Sequence, residues 1–307
     1  MSEARVAVYG AYGHTGRLVT AELRRRRHPL LLMGRDPERV QALDVLKGEQ
    51  KLALRIDADG WPAALDGVDF LVNCAGPFAD TAGPLVEAAL KAGVNYIDTA
   101  GEPQVVRDEF ERFGQQAQGL GLMVFPATGF YGALGDLLVA ATADGWSSAD
   151  RVELDFITDG WNPTAGTRAA AARMAGRRLV YSGGELHEQT GQPEFVSRDY
   201  GPPFGRQSVM QGYPSPEAIL VPRHLAAPTV AIGMGSLAIR DLRNTALTGP
   251  RAGEKPGSAF WSKPEFGKGP TPASVGVSAK TSTGSRRPSS QKRFRGPWPV
   301  AESSPEC

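Results

Sequence analysis

Cysteine is almost missing from this chain of 307 residues: Cys74 lies in an apolar run and Cys307 is the last residue. Two thiols so far apart give no disulfide framework, and such usage fits a reducing compartment, so the expected address is the cytoplasm. Cys74 reads as a small buried residue rather than a nucleophile. Apolar runs of membrane-spanning length are also missing. The start, Met1-Ser2-Glu3-Ala4-Arg5, leads straight into an apolar stretch and is read as leaving no room for a signal peptide. No Cys/His cluster has metal-ligand spacing, no Ser-centred nucleophile elbow occurs, and neither a Walker lysine nor a Tyr-x-x-x-Lys pair is found. Charge of one sign is not in excess over the whole chain, whose net charge is +1, but its distribution is uneven. Thr248 to Cys307 hold 10 Lys and Arg against 4 Asp and Glu, whereas the first 247 residues hold 24 against 29. A basic tail of this kind reads as a solvated segment first and a contact for nucleic acid or anionic lipid second. No motif or aromatic interleaving sharpens the latter, and no specific nucleic-acid partner is expected.

What the chain does have is concentrated at its beginning. Val6-Ala7-Val8-Tyr9 reads as a buried strand, followed by Gly10-Ala11-Tyr12-Gly13-His14-Thr15-Gly16 and then by Leu18, Val19, Glu22 and Leu23 at helical spacing. Gly10 permits a sharp exit from the strand, Gly13 lets the backbone approach a diphosphate, and Gly16 lets the helix lie close to the sheet. The free N–H groups and positive end of the helix then face the phosphates. Three glycines alone are a weak signal, but here the required strand and helix flank them. His14 is expected to be a loop contact.

Beyond it, extended stretches at Pro29 to Arg35, Lys51 to Ile56, Val68 to Cys74, Asn95 to Thr99 and Leu122 to Phe125 alternate with helical ones. Asp36-Pro37-Glu38 supplies an N-cap, a first-turn proline and an early acid. This rhythm predicts right-handed crossovers and a doubly wound parallel sheet of Rossmann type over residues 1–145. A helix is expected over Leu134 to Ala143. From there the texture changes: Arg151 to Thr158 alternates Val152, Leu154 and Phe156 with charged residues. An Ala-rich helix over Thr167 to Ala175 and short extended pieces at Arg177 to Tyr181, Glu194 to Ser197 and Thr229 to Ile232 follow. A smaller α+β domain with antiparallel pairing is expected over 146–247. Residues 248–307 contain 6 Leu, Ile, Val or Phe among 60 and read as a disordered tail, because so little apolar area cannot offset ordering entropy.

The second extended stretch ends in Gly34-Arg35, where an NAD site usually carries an acid for the ribose hydroxyls. A guanidinium there suits a 2′-phosphate and stacking on adenine, which points to NADP; the plainer reading of Arg35 is a solvated loop arginine. Asp57 is placed to accept from the adenine amino group or to serve a turn. The Arg24 to Arg27 run reads as a solvated helix end, with diffuse attraction of the cofactor second. Asn73 either bonds the ribose or caps its strand. Ala75, Gly76 and Pro77 follow at the expected ligand edge, small and stiff enough for the nicotinamide half to approach. Asp98 and Glu102 close the next strand at the same edge. They are candidates for recognising a substrate ammonium or transferring a proton; a turn acceptor and a helix start are the bland alternatives.

Gly10 to Gly16, Gly34-Arg35-Asp36-Pro37, Asn73-Cys74-Ala75-Gly76-Pro77-Phe78 and Tyr96-Ile97-Asp98-Thr99-Ala100-Gly101-Glu102 together resemble the saccharopine dehydrogenase-like family. The resemblance extends through Gly129-Phe130 and Gly135-Asp136-Leu137-Leu138. It continues more faintly through Gly166-Thr167, Tyr213-Pro214-Ser215-Pro216-Glu217 and Pro222-Arg223-His224-Leu225, covering about Val6 to Arg243. It implies an NADP-binding Rossmann domain joined to a saccharopine-reductase-like domain; bacterial members include trans-acting enoyl reductases of lipid synthesis. The expected function is therefore an NADP-dependent oxidoreductase moving a hydride to or from an imine, carbonyl or conjugated alkene of a small-molecule substrate. The alternative is an NADP(H)-binding sensor or scaffold without turnover. A homo-oligomer is left open. The family's last segment resembles Asp-Ile-Tyr-x-Val-Thr-Ala-Pro, which this chain lacks in its own frame. One frame over, a permissible codon choice for Ser278 to Arg295 spells Arg-Lys-Asp-Ile-Tyr-Gly-Val-Thr-Ala-Pro-Ile-Ile-Ala-Glu-Ala-Val-Gln. A shifted reading frame is thus expected in the tail, and the DNA around the codon for Leu247 tests it.

Overall fold

The computed structural model describes residues 3–158, 160–174, 176–201, 204–247, 249 and 274–280. The chain forms two compact units. One comprises Met1–Asp136, Thr164–Leu179 and Pro214–Leu220; the other comprises Leu137–Pro163, Val180–Tyr213 and Val221–Cys307. The chain thus returns to the first unit twice, where the sequence suggested a single boundary at 145–146. Each return is anchored by polar bonds. Arg173 holds Asp80 through both terminal guanidinium nitrogens at 2.6 and 2.7 Å, and Glu217 accepts the N–H of Gly132 at 2.7 Å.

The first unit begins with β1 (Val6–Tyr9), α1 (His14–Arg25), β2 (Leu30–Gly34), α2 (Pro37–Gln41), β3 (Gln50–Ala53) and α3 (Trp61–Ala64). It continues through β4 (Phe70–Asn73), α4 (Phe78–Ala92), β5 (Asn95–Asp98), α5 (Pro103–Leu120), β6 (Val124–Phe125) and the start of α6 (Ala133–Ala143). The strands pair in parallel in the order β3-β2-β1-β4-β5-β6. Alternation along each strand divides the core into two layers. Ala7, Tyr9, Leu31, Met33 and Leu71 pack with Trp61, Leu85 and Phe113 on one face, while Val6, Val8, Leu30, Leu32 and Val72 pack with Val19 and Leu23 on the other. Full burial of a Leu-sized side chain stabilises by roughly 1.5–3 kcal/mol, so these two layers hold the sheet. Helix ends follow the sequence signals. Asp36 caps α2 by accepting from Glu38 and Arg39 N–H, and α4 and α5 stop at Gly93 and Gly121, both left-handed.

The later elements are β7 (Arg151–Ile157), α7 (Ala165–Arg173), β8 (Arg178–Ser182), β9 (Glu185–Gln189), β10 (Phe195–Asp199) and β11 (Arg206–Gln211). They end with α8 (Glu217–Leu220), β12 (Thr229–Gly235), α9 (Ser236–Arg243) and β13 (Ser274–Lys280). The second unit's sheet runs β10-β11-β12-β7-β13, with β8 pairing β12 and β9. Its pairing is antiparallel as expected, except that β12 and β7 run parallel. Val152, Leu154 and Phe156 from β7 and Val230, Ile232 and Met234 from β12 form its buried face. The expected disordered tail lies outside the described residues except at 249 and 274–280. Within it, Ser274–Lys280 pairs with β7 over seven positions. Among the described residues, no helix is long and apolar enough to cross a membrane.

Candidate dinucleotide site

At the carboxyl end of β1 the chain turns at Gly10, whose φ of +83° is the left-handed conformation that favours glycine. A Cβ there would also lie 3.0 Å from the backbone nitrogen of Ala75, so the turn is pressed against the loop after β4. Gly16 lies in the first turn of α1, where a Cβ would collide with the Gly10 carbonyl and stand 2.9 Å from the Ala11 Cα. Gly13 differs. Its Cβ would meet only the Gly10 oxygen, at 3.1 Å, and otherwise open space. Two glycines therefore close the turn, and the third leaves a free approach beside the N-terminus of α1. His14 and Thr15 are exposed there, and Ala11 is buried.

Gly34 at the end of β2 has a packing reason: a Cβ would run into the Tyr12 ring. Arg39 lies over the other part of the same ring, its guanidinium carbon 4.2 Å from the centroid. Arg35 is exposed and has no side-chain hydrogen bond or ion pair among the described residues. Asp57 is also exposed, but its carboxylate is bound by Arg55 at 3.0 and 2.9 Å. That pair holds the Asp57 carboxyl below its usual range. Both side chains of this ion pair are exposed, so the remaining lone pairs of Asp57 stay open to solvent.

After β4, Asn73 is fully buried. Its amide nitrogen donates to Thr81 Oγ1 and Tyr96 Oη at 3.1 and 3.0 Å, and its oxygen accepts the Ala75 N–H at 2.9 Å. Of its two expected roles, the strand cap is formed here. Ala75, Gly76 and Pro77 continue outward, with a cis Gly76–Pro77 bond. Cys74 is partly buried, and burial pushes its thiol up to about 12, which removes it as a nucleophile.

Asp98 is likewise fully buried. Its Oδ1 accepts the N–H groups of Ala100 and Ala127 at 3.0 and 2.8 Å, and its Oδ2 accepts the Tyr96 hydroxyl at 3.0 Å. It is a turn acceptor, and its candidacy as a group touching substrate is corrected on that ground. Glu102 precedes α5 and is 3 % exposed. One of its oxygens accepts the Phe78 N–H at 3.1 Å and the other has no partner among the described residues; burial raises its pKa. Sequence reasoning missed Glu109, which lies inside the same cluster at 2 % exposure. Its place on α5 opposite β5 leaves no local trace in the sequence. Burial first, and then the charge of Asp98, push Glu109 up to about 11, so it keeps its proton at neutral pH.

The glycine turn between β1 and α1, the reversal of strand order between β1 and β4, and the free cation after β2 define a dinucleotide-binding domain of Rossmann type. Residues 6–124 match the family described as the saccharopine dehydrogenase NADP binding domain. A saccharopine dehydrogenase-like oxidoreductase of Rattus norvegicus is 28 % identical over 175 residues, covering 50 % of this chain and 41 % of that protein. A trans-acting enoyl reductase of Mycobacterium ulcerans is 31 % identical over 147 residues, covering 45 % and 35 %. The matched stretch spans less than half the length of either relative. Among solved structures, apo saccharopine dehydrogenase (L-Glu forming) from Saccharomyces cerevisiae aligns with a TM-score of 0.49 at 14 % identity, covering 76 % of this chain and 55 % of that one. The residues present fit NADP: the approach at Gly13 is open and Arg35 is an unengaged cation.

Proposed function

We propose that this chain is an NADP-dependent oxidoreductase that moves a hydride to or from an imine, carbonyl or conjugated alkene of a small molecule. The observation that carries the proposal is the open turn at Gly13 beside exposed Arg35, in a domain whose family binds NADP. When bound, the cofactor supplies the hydride. The chain's own residues do the rest. The N–H groups at the start of α1 hold the diphosphate, and Arg35 neutralises the 2′-phosphate. The Tyr12 ring, kept in place by Gly34 and Arg39, walls the site on the same side. The names of the relatives, one a saccharopine dehydrogenase-like oxidoreductase and one an enoyl reductase, support carbon–nitrogen and conjugated carbon–carbon double bonds as the substrates to try first.

Calorimetry with NADPH and NADH tests the site, and NADPH oxidation over a panel of cyclic imines, ketones and enoyl thioesters tests turnover. Tight binding with preference for NADPH and substrate-dependent oxidation is the expected result. Absence of heat with either nucleotide from folded protein overturns the proposal. A second reading, a sensor or scaffold that binds NADP(H) without turnover, draws support from the internal engagement of Asp98. Binding with no oxidation across the panel favours it.

A further inference from the structure

A continuous path of buried hydrogen bonds joins the three loops that leave β4, β5 and β6. At one end, Thr81 Oγ1 donates to the Ala75 carbonyl at 2.6 Å, while the Ala75 N–H donates to Asn73 Oδ1 at 2.9 Å. Asn73 passes its two amide hydrogens to Thr81 and Tyr96, and Tyr96 passes its hydroxyl hydrogen to Asp98. At the other end, Asp98 receives Ala100 N–H and Ala127 N–H on its carboxylate, and Thr128 N–H and hydroxyl on its backbone oxygen. Asn73, Thr81, Tyr96 and Asp98 are each at most 4 % exposed. The Tyr96 hydroxyl and the N–H groups of Ala100 and Ala127 all donate to the Asp98 carboxylate, which in its ionised form is an acceptor only. Glu109 lies beside it, held in its protonated form by burial and by the charge of Asp98. A proton on Glu109 thus leaves Asp98 as the one negative charge of the pair.

The near end of the path reaches the phosphate turn, since a Cβ on Gly10 would lie 3.0 Å from Ala75 Cβ. In a sheet of this order a dinucleotide crosses the carboxyl ends of the strands where the order reverses, here between β1 and β4. We infer that Asp98 is a positioning residue for the cofactor: acting through Tyr96, Asn73 and Thr81, it fixes the Ala75–Pro77 loop against the part of NADPH beyond the adenosine phosphates. The inference rests on the cofactor site proposed above and assigns Asp98 a role apart from proton transfer. It also explains why a carboxylate, and not an amide, stands at this point. In Asp98→Asn, one orientation of the new amide faces two N–H donors with a third, and the other faces the Tyr96 hydroxyl with a donor.

The experiment compares full-length wild type, Asp98→Asn and Thr81→Val for binding of NADPH and of 2′,5′-ADP, which lacks the nicotinamide half, with a thermal melt to show folding. Thr81→Val keeps the shape of the side chain and cuts the path at its loop end, so it decides the matter should Asp98→Asn fail to fold. The expected result is about a tenfold loss of NADPH affinity with 2′,5′-ADP affinity unchanged, the size set by one or two lost buried hydrogen bonds. If the wild type binds neither ligand, the cofactor site itself is wrong. If it binds both and folded Thr81→Val weakens neither, or both equally, the positioning role is wrong while the cofactor site stands.

Discussion

A methyl group distinguishes the glycines of the phosphate turn. On Gly16 it would collide with the Gly10 carbonyl and the backbone of Ala11, all part of the packed turn. Gly16→Ala should therefore cost stability, about 1–3 kcal/mol as for other overpacked sites, together with cofactor binding. On Gly13 the added atoms would enter open space beyond one oxygen at 3.1 Å. Gly13→Val should leave the melting temperature within a few degrees and abolish NADPH binding. Thermal melts paired with calorimetry read both variants, and a Gly13→Val protein that still binds would refute the phosphate-loop assignment. Arg35 makes a third case. An exposed cation with no hydrogen bond or ion pair among the described residues contributes little to the fold, so Arg35→Asp should fold normally. One charge-assisted phosphate contact is worth about 1.5–3 kcal/mol, which translates to a tenfold or larger shift of the NADPH-to-NADH affinity ratio toward NADH. An unaltered ratio would count against a 2′-phosphate contact. The shape of the turn and of the strand end was legible in the sequence because turn chemistry is local. The ion pair of Asp57 with Arg55 was not, because it is a surface choice that strand spacing does not dictate. Glu109 and Arg39 were passed over because burial against β5, or stacking on Tyr12, depends on elements distant in the chain.

Glu217 shows what an element contributes. The short helix α8 starts with this fully buried carboxylate, which accepts the Gly132 N–H at 2.7 Å and the Ser215 hydroxyl. A Cβ on Gly135 in α6 would strike it, so α6 is shaped to receive it. Burial pushes Glu217 up from 4.5 to about 7, opposed by the Ser215 and Gly132 hydrogen bonds and aided by the charge of Asp136. The raised value fixes the sign. The folded state holds the proton more tightly than the unfolded one, so the contribution is fully present below about pH 4.5 and is lost as the pH rises through 7. A shift of that size corresponds to about 3 kcal/mol. Asp98, Glu102, Glu109 and Asp155 are also raised and tilt stability the same way, so the comparison must be with Glu217→Gln. Melting temperatures between pH 5 and 8.5 should fall more steeply for the wild type than for this variant; equal slopes would mean that Glu217 does not titrate there. Element by element, the parallel half was legible because buried strands alternate with capped helices. In the second half, β9 carries Glu185-Leu186-His187-Glu188-Gln189, almost all exposed, and offers no alternation to detect. The parallel pairing of β7 with β12 joins segments more than seventy residues apart, and no local pattern encodes it.

At the scale of the whole chain, a deletion separates binding from stability. β13 covers the edge of β7 with the register Ser274 to Ile157 through Lys280 to Arg151. Ending the chain after Leu247 removes that strand and leaves β7 as an edge with alternate N–H and C=O groups unpaired, a template for pairing with another chain. None of the residues of the phosphate turn, nor Arg35, nor the path from Ala75 to Asp98, belongs to the deleted segment. The truncated protein should therefore bind NADPH with unchanged affinity, while its melt begins earlier and light scattering shows association that grows with concentration. A large loss of NADPH affinity would show that residues beyond 247 complete the cofactor site. An unchanged melt without association would show that β13 contributes nothing to the second sheet. The genomic sequence at the codon for Leu247 bears on the same segment. Were the frame shifted there, the restored chain would carry Asp-Ile-Tyr-Gly-Val-Thr-Ala-Pro in place of the present tail, and it should melt later than the present chain while binding NADPH equally well.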